Sequence, residues 1–445
     1  MLGGRFADGG SQGPLYACAA LLCVVAIACG GSSAGAAFRL AVVELCALPA
    51  LALALLAARR ERRIDWGAGV LALIAAAPLL QLVPVPPDIW SRLPGGSARA
   101  EALALAGVAP PWAPLSLFPG ATLGCVLALV GPAAAFLAVS QLSMSRRRTL
   151  CALWLAGACV GLALGTIQLA QPDGGWAYPY AGANLGSLVG LFANRNHQAG
   201  WLLALTPVAA ALTAPALRNG GSPMRQGVAT AAGLFGVVSL VALGVVRSRA
   251  GILLAGPAAL GALAVLARAG VRWRRLALGA LAALAAGLVV AIFTAGPILD
   301  RFAPQARPEA RADTWPMVLA AAQNAMPLGA GVGAFDRVFR AAEPLDLVGP
   351  AFLNHAHNDY LEVWLETGVA GIALLTLFLV WFCLRAARAW GPGGSDLARA
   401  SSVAVVLLLA QSAVDYPLRT ETLACLFAFA CGCLTPARQT AEAAS

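Results

Sequence analysis

Twelve long apolar runs follow one another through this chain, and no other feature limits its fold as strongly. They lie near residues 14–30, 37–58, 67–83, 119–141, 149–170, 197–217, 227–246, 250–267, 275–298, 367–387, 399–414 and 420–435. About 20 predominantly apolar residues in a helix cross the roughly 30 Å hydrocarbon core of a bilayer, and most of these runs approach that length. They are continuous, without apolar–polar alternation, so they predict helices and not the strands of a barrel. With 60% hydrophobic and 11% charged residues, the chain carries more apolar surface than a soluble domain hides. The expected fold is all-α: a polytopic membrane protein with about 12 transmembrane helices, forming a single integral-membrane domain over 1–445. Residues 299–366, between the ninth and tenth runs, are expected to form a long loop containing short helices. No clear cleavage site follows the first run, which reads as a retained helix.

The net charge of +10 is not a nucleic-acid signal, because its carriers are distributed as topology markers. All 30 basic residues are arginines. They cluster after the second run (Arg59, Arg60, Arg62, Arg63), the fourth (Arg146, Arg147, Arg148), the sixth (Arg218, Arg225), the eighth (Arg268, Arg272, Arg274, Arg275) and the tenth (Arg385, Arg388, Arg399). Every even-numbered run therefore ends on the same side, which the positive-inside rule makes cytoplasmic, with both termini. The 11 cysteines fall in or beside apolar runs without disulfide-framework spacing, and Cys431-Gly432-Cys433 is too isolated for a zinc site. They read as small hydrophobes.

The opposite, external side collects the unusual residues. Loop 84–118 offers Trp90 and Trp112 as interfacial anchors and a short surface helix over 97–108. In the long loop, Asp313 or Thr314 is placed to cap a helix with Pro316 in its first turn and running over 317–324. Gly329, Gly331 and Gly333 read as a turn, since no strand precedes them as a nucleotide-binding loop requires.

Two of the three histidines and three carboxylates crowd into His355-Ala356-His357-Asn358-Asp359-Tyr360-Leu361-Glu362-Val363-Trp364-Leu365-Glu366, just ahead of an apolar helix that opens Gly368-Val369-Ala370-Gly371. A charge at mid-bilayer costs roughly 2.5–3.5 kcal/mol on insertion scales, so this cluster is expected at the water boundary. Asp359, Glu362 and Glu366 share one helix face, either as part of a site or as the solvated stripe of an interfacial helix. Gly368 and Gly371 are spaced for close approach of a second helix. A further group is Phe192-Ala193-Asn194-Arg195-Asn196-His197 at the start of the sixth run, where Asn194 or Asn196 caps a helix end that favours anions and Pro207 lies further in. A third is Arg247-Ser248-Arg249-Ala250-Gly251. Its two arginines oppose the positive-inside bias and suit either lipid phosphates or a bound diphosphate, whose oxygens match the guanidinium fork. Arg307 and Arg311 form a fourth group.

These residues resemble a known family. His357-Asn358, nine residues, then Gly368-Val369-Ala370-Gly371 is similar to the His-(Asn/Ser/Gln)-x9-Gly-x-x-Gly pattern of the O-antigen ligase and polymerase family. Phe192 to His197 resembles its Phe-x-Asn-x-Asn-His segment, Ser248-Arg249-Ala250-Gly251 its Ser-Arg-x-(Gly/Ala) turn, and 311–335 its loop helix. The resemblance implies a metal-independent, inverting glycosyltransferase without cofactors, at the periplasmic face of the bacterial inner membrane. Its donor would be an undecaprenyl-diphosphate-linked glycan, and its acceptor a glycan chain, lipid A core or protein. O-antigen ligase and surface polysaccharide polymerase both fit. His357 is the expected base, Arg249, Arg311 and Arg195 the expected diphosphate ligands. Asn194, Asn196, His197, Asn358, Asp359, Glu362, Glu366, Gly368 and Gly371 are expected to support them. The chemistry is coherent on physical grounds alone: an imidazole with a pKa near ~6.5 accepts a hydroxyl proton at neutral pH, and arginines stabilise a departing diphosphate.

Two other readings compete. In extended backbone, His355, His357 and Asp359 would point to one side and, with His197, hold a metal. A transporter or flippase for glycans or lipid-linked intermediates would place ionisable groups at mid-bilayer, often in repeated halves. Glu44 is the one acid well inside a run, and no repeat of 190–370 is visible.

Overall fold

The computed structural model describes residues 12–33, 35–61, 64–220, 222–302, 311–345, 348 and 353–438; at 61, 219, 286, 289–302 and 311–313 it gives the helical path alone. The chain begins with helices α1 (Gly13–Cys29), α2 (Ala37–Glu61) and α3 (Trp66–Gln81). A small antiparallel ribbon, β1 (Pro84–Val85) with β2 (Ala113–Pro114), encloses α4 (Pro87–Trp90) and α5 (Gly96–Leu105). Then come α6 (Pro119–Ala128), α7 (Val130–Ser140), α8 (Met144–Leu169), α9 (Arg195–Asn219), α10 (Pro223–Val246), α11 (Arg249–Arg268) and α12 (Trp273–Phe302). Two short helices, α13 (Arg311–Asn324) and α14 (Phe335–Ala342), precede α15 (Asp359–Trp390) and α16 (Asp396–Ser412). A 3₁₀ turn, Pro417–Arg419, leads into α17 (Glu421–Cys433).

The helices begin where short polar side chains replace the missing intrahelical acceptors. Asp65, Asn194, Ser222, Ser248, Asn358 and Ser395 each accept a backbone N–H from the first turn that follows. Helix α9 is the axis of the bundle. Its apolar window is 78% buried, against 17% for α11, and α8, α10, α11 and α16 pack around it. The other long helices leave apolar faces such as Leu253, Leu260 and Leu278 exposed, as lipid-facing helices do.

All twelve runs are helical, so the all-α membrane fold stands. Seven helical segments are long and apolar enough to cross a membrane, and α1, α3 and α17 are apolar but shorter, among the described residues. The expected count of about twelve spans is thus matched by seven helices of spanning length among the described residues. The fourth run divides at Leu129 into α6 and α7. The surface helix of the 84–118 loop is 96–105, and α13 starts ahead of Asp313, at Arg311.

Two residues play other parts than expected. Trp90 is buried, its indole N–H donating to Pro111 O at 2.9 Å, so only Trp112, 68% exposed, suits an interfacial anchor. Arg147, one of the arginines counted for topology, is fully buried and donates to the carbonyls of Ser140, Leu142 and Thr435. The cysteines are free thiols, and Cys23, Cys151, Cys425, Cys431 and Cys433 are packed in the apolar core.

Candidate active site

The site forms where α15 begins. Asn358 Oδ1 accepts the N–H groups of Tyr360 and Leu361, at 3.0 and 3.2 Å, and so fixes the helix start. The residue before it, His357, has φ +49°, a left-handed conformation uncommon outside glycine and asparagine. This turn ends the extended alternation that a shared metal would need. His355 Nδ1 meets Glu362 Oε1 at 2.8 Å, while His357 Nδ1 meets Asp415 Oδ1 at 3.0 Å. An ionised carboxylate only accepts, so each Nδ1 is the donor, and in the neutral ring the lone pair sits on Nε2. Asp359 turns elsewhere, to the hydroxyl of Ser412 at 2.7 Å. Among the described residues no three His, Cys, Asp or Glu side chains are grouped to hold a metal ion.

Tyr416 gathers all three histidines. Its ring centroid lies 4.9 Å from that of His197, 4.3 Å from His355 and 4.8 Å from His357. His197, 2% exposed, also packs edge-on against Phe192. Asn194 caps α9 and extends its amide toward the Tyr416 hydroxyl, at 3.5 Å. Asn196 contributes its carbonyl, which accepts from Gln411 Nε2 at 2.6 Å. The 192–197 segment and the start of α15, far apart in sequence, thus meet on one aromatic ring.

The acidic face of α15 is not a solvated stripe. Asp359, Glu362 and Glu366 are 7, 1 and 1% exposed. They surround Arg419, whose guanidinium nitrogens lie 3.6 Å from Asp359 and Glu362 and 2.9 Å from Glu366. Burial alone would weaken the arginine's charge, but Glu362, Glu366 and Asp359 hold its pKa well above the ordinary value. A buried carboxylate without a partner costs several kcal/mol, so this arginine is what makes the face tolerable. Glu362 also accepts Ala356 N–H, and Glu366 accepts Gly333 N–H at 2.8 Å. One face therefore clamps the histidine turn at one end and the glycine turn at the other.

Of the motif's glycines, Gly368 meets loop backbone and Gly371 meets side chains of its own helix, not a second helix. At Gly368 (φ +57°, ψ −138°) the helix breaks. The carbonyls released by the break are taken up: Leu365 O by Ala330 N, Glu366 O by Gly331 N, while Val369 N donates to Pro327 O. A Cβ at Gly368 would collide with the Pro327 carbonyl, and one at Gly371 with the Thr367 hydroxyl. Gly329, Gly331 and Gly333 all have positive φ, as the predicted turn requires.

The three expected diphosphate arginines, Arg195, Arg249 and Arg311, each open a helix. Arg249 opens α11 after Arg247, which is left-handed at φ +56°, and Ser248 Oγ accepts Gly251 N–H at 3.1 Å. Gly251 packs closely on Ala199 of α9, so this turn stands beside the His197 end of that helix. Arg195 donates its backbone N–H to Asn184 Oδ1. Arg311 begins α13, with its side chain outside what is described, and Arg307 lies outside the described residues. The sequence pattern puts 415–419 on the external side but gives Asp415, Tyr416 and Arg419 no role. Their one signal was a polar interruption, 415–419, between the last two apolar runs.

Comparison with known families adds one match. The family model described as O-antigen ligase fits residues 234–376, a stretch that includes the Ser248-Arg249 turn and the His357 to Gly371 motif and ends before Asp415. No curated protein matches the chain. The mostly helical, multi-pass membrane chain is therefore similar, over 234–376, to the O-antigen ligase family that its motifs resemble.

Proposed function

We propose that the protein transfers glycan from an undecaprenyl-diphosphate carrier to an acceptor hydroxyl, at the periplasmic face of the bacterial inner membrane and with inversion. The acceptor is a growing glycan, lipid A core or protein, so ligase and polymerase activities share this chemistry. The observation that supports it best is the His357–Asp415 pair. With Nδ1 donating to Asp415, the His357 ring presents Nε2 as the base. Nε2 takes the acceptor's proton as its oxygen attacks the anomeric carbon. The carbon–oxygen bond to the diphosphate then breaks, and its electron pair leaves with the carrier. Arg249, Arg311 and Arg195 are the residues we assign to the negative charge that develops there. None of these steps calls for a metal.

The test is product formation from lipid-linked glycan by purified variants, with and without a chelator. His357→Ala should lose about 10²–10⁴-fold in rate, the usual weight of a general base, while still binding carrier lipid. His355→Ala should be much milder. Equal inactivity of the two variants, with wild-type activity abolished by the chelator, would overturn the base assignment in favour of a metal.

A further inference from the structure

At the far end of α15 from His357 stands a cluster of positive charge that the transfer chemistry does not use. The ends of α9, α11 and α15 meet the start of α12 there, and arginines join them. Arg218 donates to Ala269 O, just past α11, at 3.3 Å, and Arg268 donates to Trp390 O, the last carbonyl of α15, at 2.8 Å. Arg275, in the first turn of α12, donates to Leu217 O near the end of α9. Carbonyls at helix C-termini lack intrahelical partners and carry partial negative charge, so all three side chains are held in place. Arg272 and Arg274 are exposed beside them, and the guanidinium carbon of Arg274 lies 5.7 Å from the centroid of the Trp273 ring.

A topology signal requires charge alone, whereas this charge is both fixed in position and left without a counter-charge from the chain. Residues 174–299 contain no aspartate or glutamate. None of the five arginines forms an ion pair among the described residues. Asp65 and Asp396, the acids whose side chains are described on this side, are already paired with Arg385 and Arg399. The surroundings therefore supply the anion, and the neighbouring side chains say what they are. Trp273 is 72% exposed, and Leu278 and Leu281, on one face of the same helix, are exposed beyond it. A tryptophan above apolar side chains marks the headgroup level of a bilayer. An occupant of this junction meets guanidinium groups at one end and apolar helix surface at the other.

We propose that the arginine junction of α9, α11, α12 and α15 binds the phosphodiester headgroup of an anionic phospholipid, with the acyl chains along Leu278 and Leu281. Phosphate oxygens match the guanidinium fork in pairs, and Arg272 and Arg274 are the side chains that reach them. The site does not depend on the transferase reading above. The probe is phosphatidylglycerol, bound to the full-length protein in a neutral detergent and followed by native mass spectrometry. Phosphatidylethanolamine and inorganic phosphate serve as competitors, and each should compete about tenfold or more weakly than phosphatidylglycerol itself. The double variant Arg272→Gln, Arg274→Gln should bind phosphatidylglycerol about tenfold or more weakly, the weight of two basic residues at an anionic lipid surface. The double variant Arg59→Gln, Arg60→Gln removes the same charge from the end of α2 on the same side and should bind as wild type does. Equal losses in the two double variants overturn the site and leave the arginines as diffuse surface charge. Equal competition by phosphatidylethanolamine overturns the recognition of an anionic lipid, and equal competition by inorganic phosphate overturns the part given to the acyl chains. Should the glutamine variant not fold, Arg272→Lys with Arg274→Lys decides. It keeps the charge but not the planar fork, so binding should weaken several-fold, and binding equal to wild type overturns the proposal.

Discussion

Asp415 separates the orientation of His357 from its chemistry. An asparagine there presents either an amide oxygen or an amide N–H, and the second choice would turn the ring's donor nitrogen toward solvent and its lone pair inward. Asp415→Asn should therefore lower kcat by about 10²-fold or more with little change in KM, measured as product formation at saturating acceptor. Arg249→Lys tests the diphosphate assignment. Lysine keeps the charge but not the paired donors, so turnover should fall; a wild-type rate at equal protein would make Arg249 a lipid anchor. At this scale the sequence disclosed one half of each contact. His357, Asn358 and His197 stood out because histidines are scarce in the chain and because spacing revealed the motif. Asp415, Tyr416 and Arg419 did not, because the five residues Asp-Tyr-Pro-Leu-Arg between two apolar runs look like any connecting loop. Only their meeting with α15, which depends on how α16 returns, gives them meaning.

The break in α15 ties the histidine turn to the glycine turn. Gly368→Ala places a Cβ against the Pro327 carbonyl at a positive φ, a strain of about 1–3 kcal/mol. The expected result is a lower midpoint of thermal unfolding in detergent, together with reduced activity, because the same loop holds Glu366 through Gly333. Arg419→Met should be more damaging still, since it removes the cation shared by three buried carboxylates; losing one member of such a buried set costs about 3–5 kcal/mol. A variant as stable as wild type would mean that the carboxylates are protonated and do not need the arginine. Helix positions were legible from apolar runs and capping residues to within a few positions. The break was not, because Gly-x-x-Gly reads equally well as a helix–helix contact. Whether a glycine faces another helix or a loop is decided by tertiary placement, which spacing does not encode.

For the whole molecule the testable quantity is sidedness. With the exposed and half-buried Cys18, Cys29, Cys46, Cys125, Cys159 and Cys383 changed to alanine, Leu345→Cys and Trp273→Cys each add one accessible thiol, at positions 91 and 72% exposed. An impermeant reagent applied to intact cells should label position 345 and reach 273 only after lysis; labelling of 273 beforehand would invert the proposed orientation and with it the periplasmic site. The way the chain closes on itself has a further effect. Thr422, at the start of α17, donates its N–H to Gly30 O and its hydroxyl to Ala26 O, so the last helix is bonded to the first. Asp415, Tyr416 and Arg419 arrive just before it. During synthesis, every earlier part of the constellation is therefore made before its counterparts: three histidines lacking a shared ring, and three acids lacking their cation. The histidine turn and the acidic face find these partners only once residues 415–419 have been made. A nascent chain that stalls before residue 415 lacks the ring on which the histidines pack and the cation that the buried acids share.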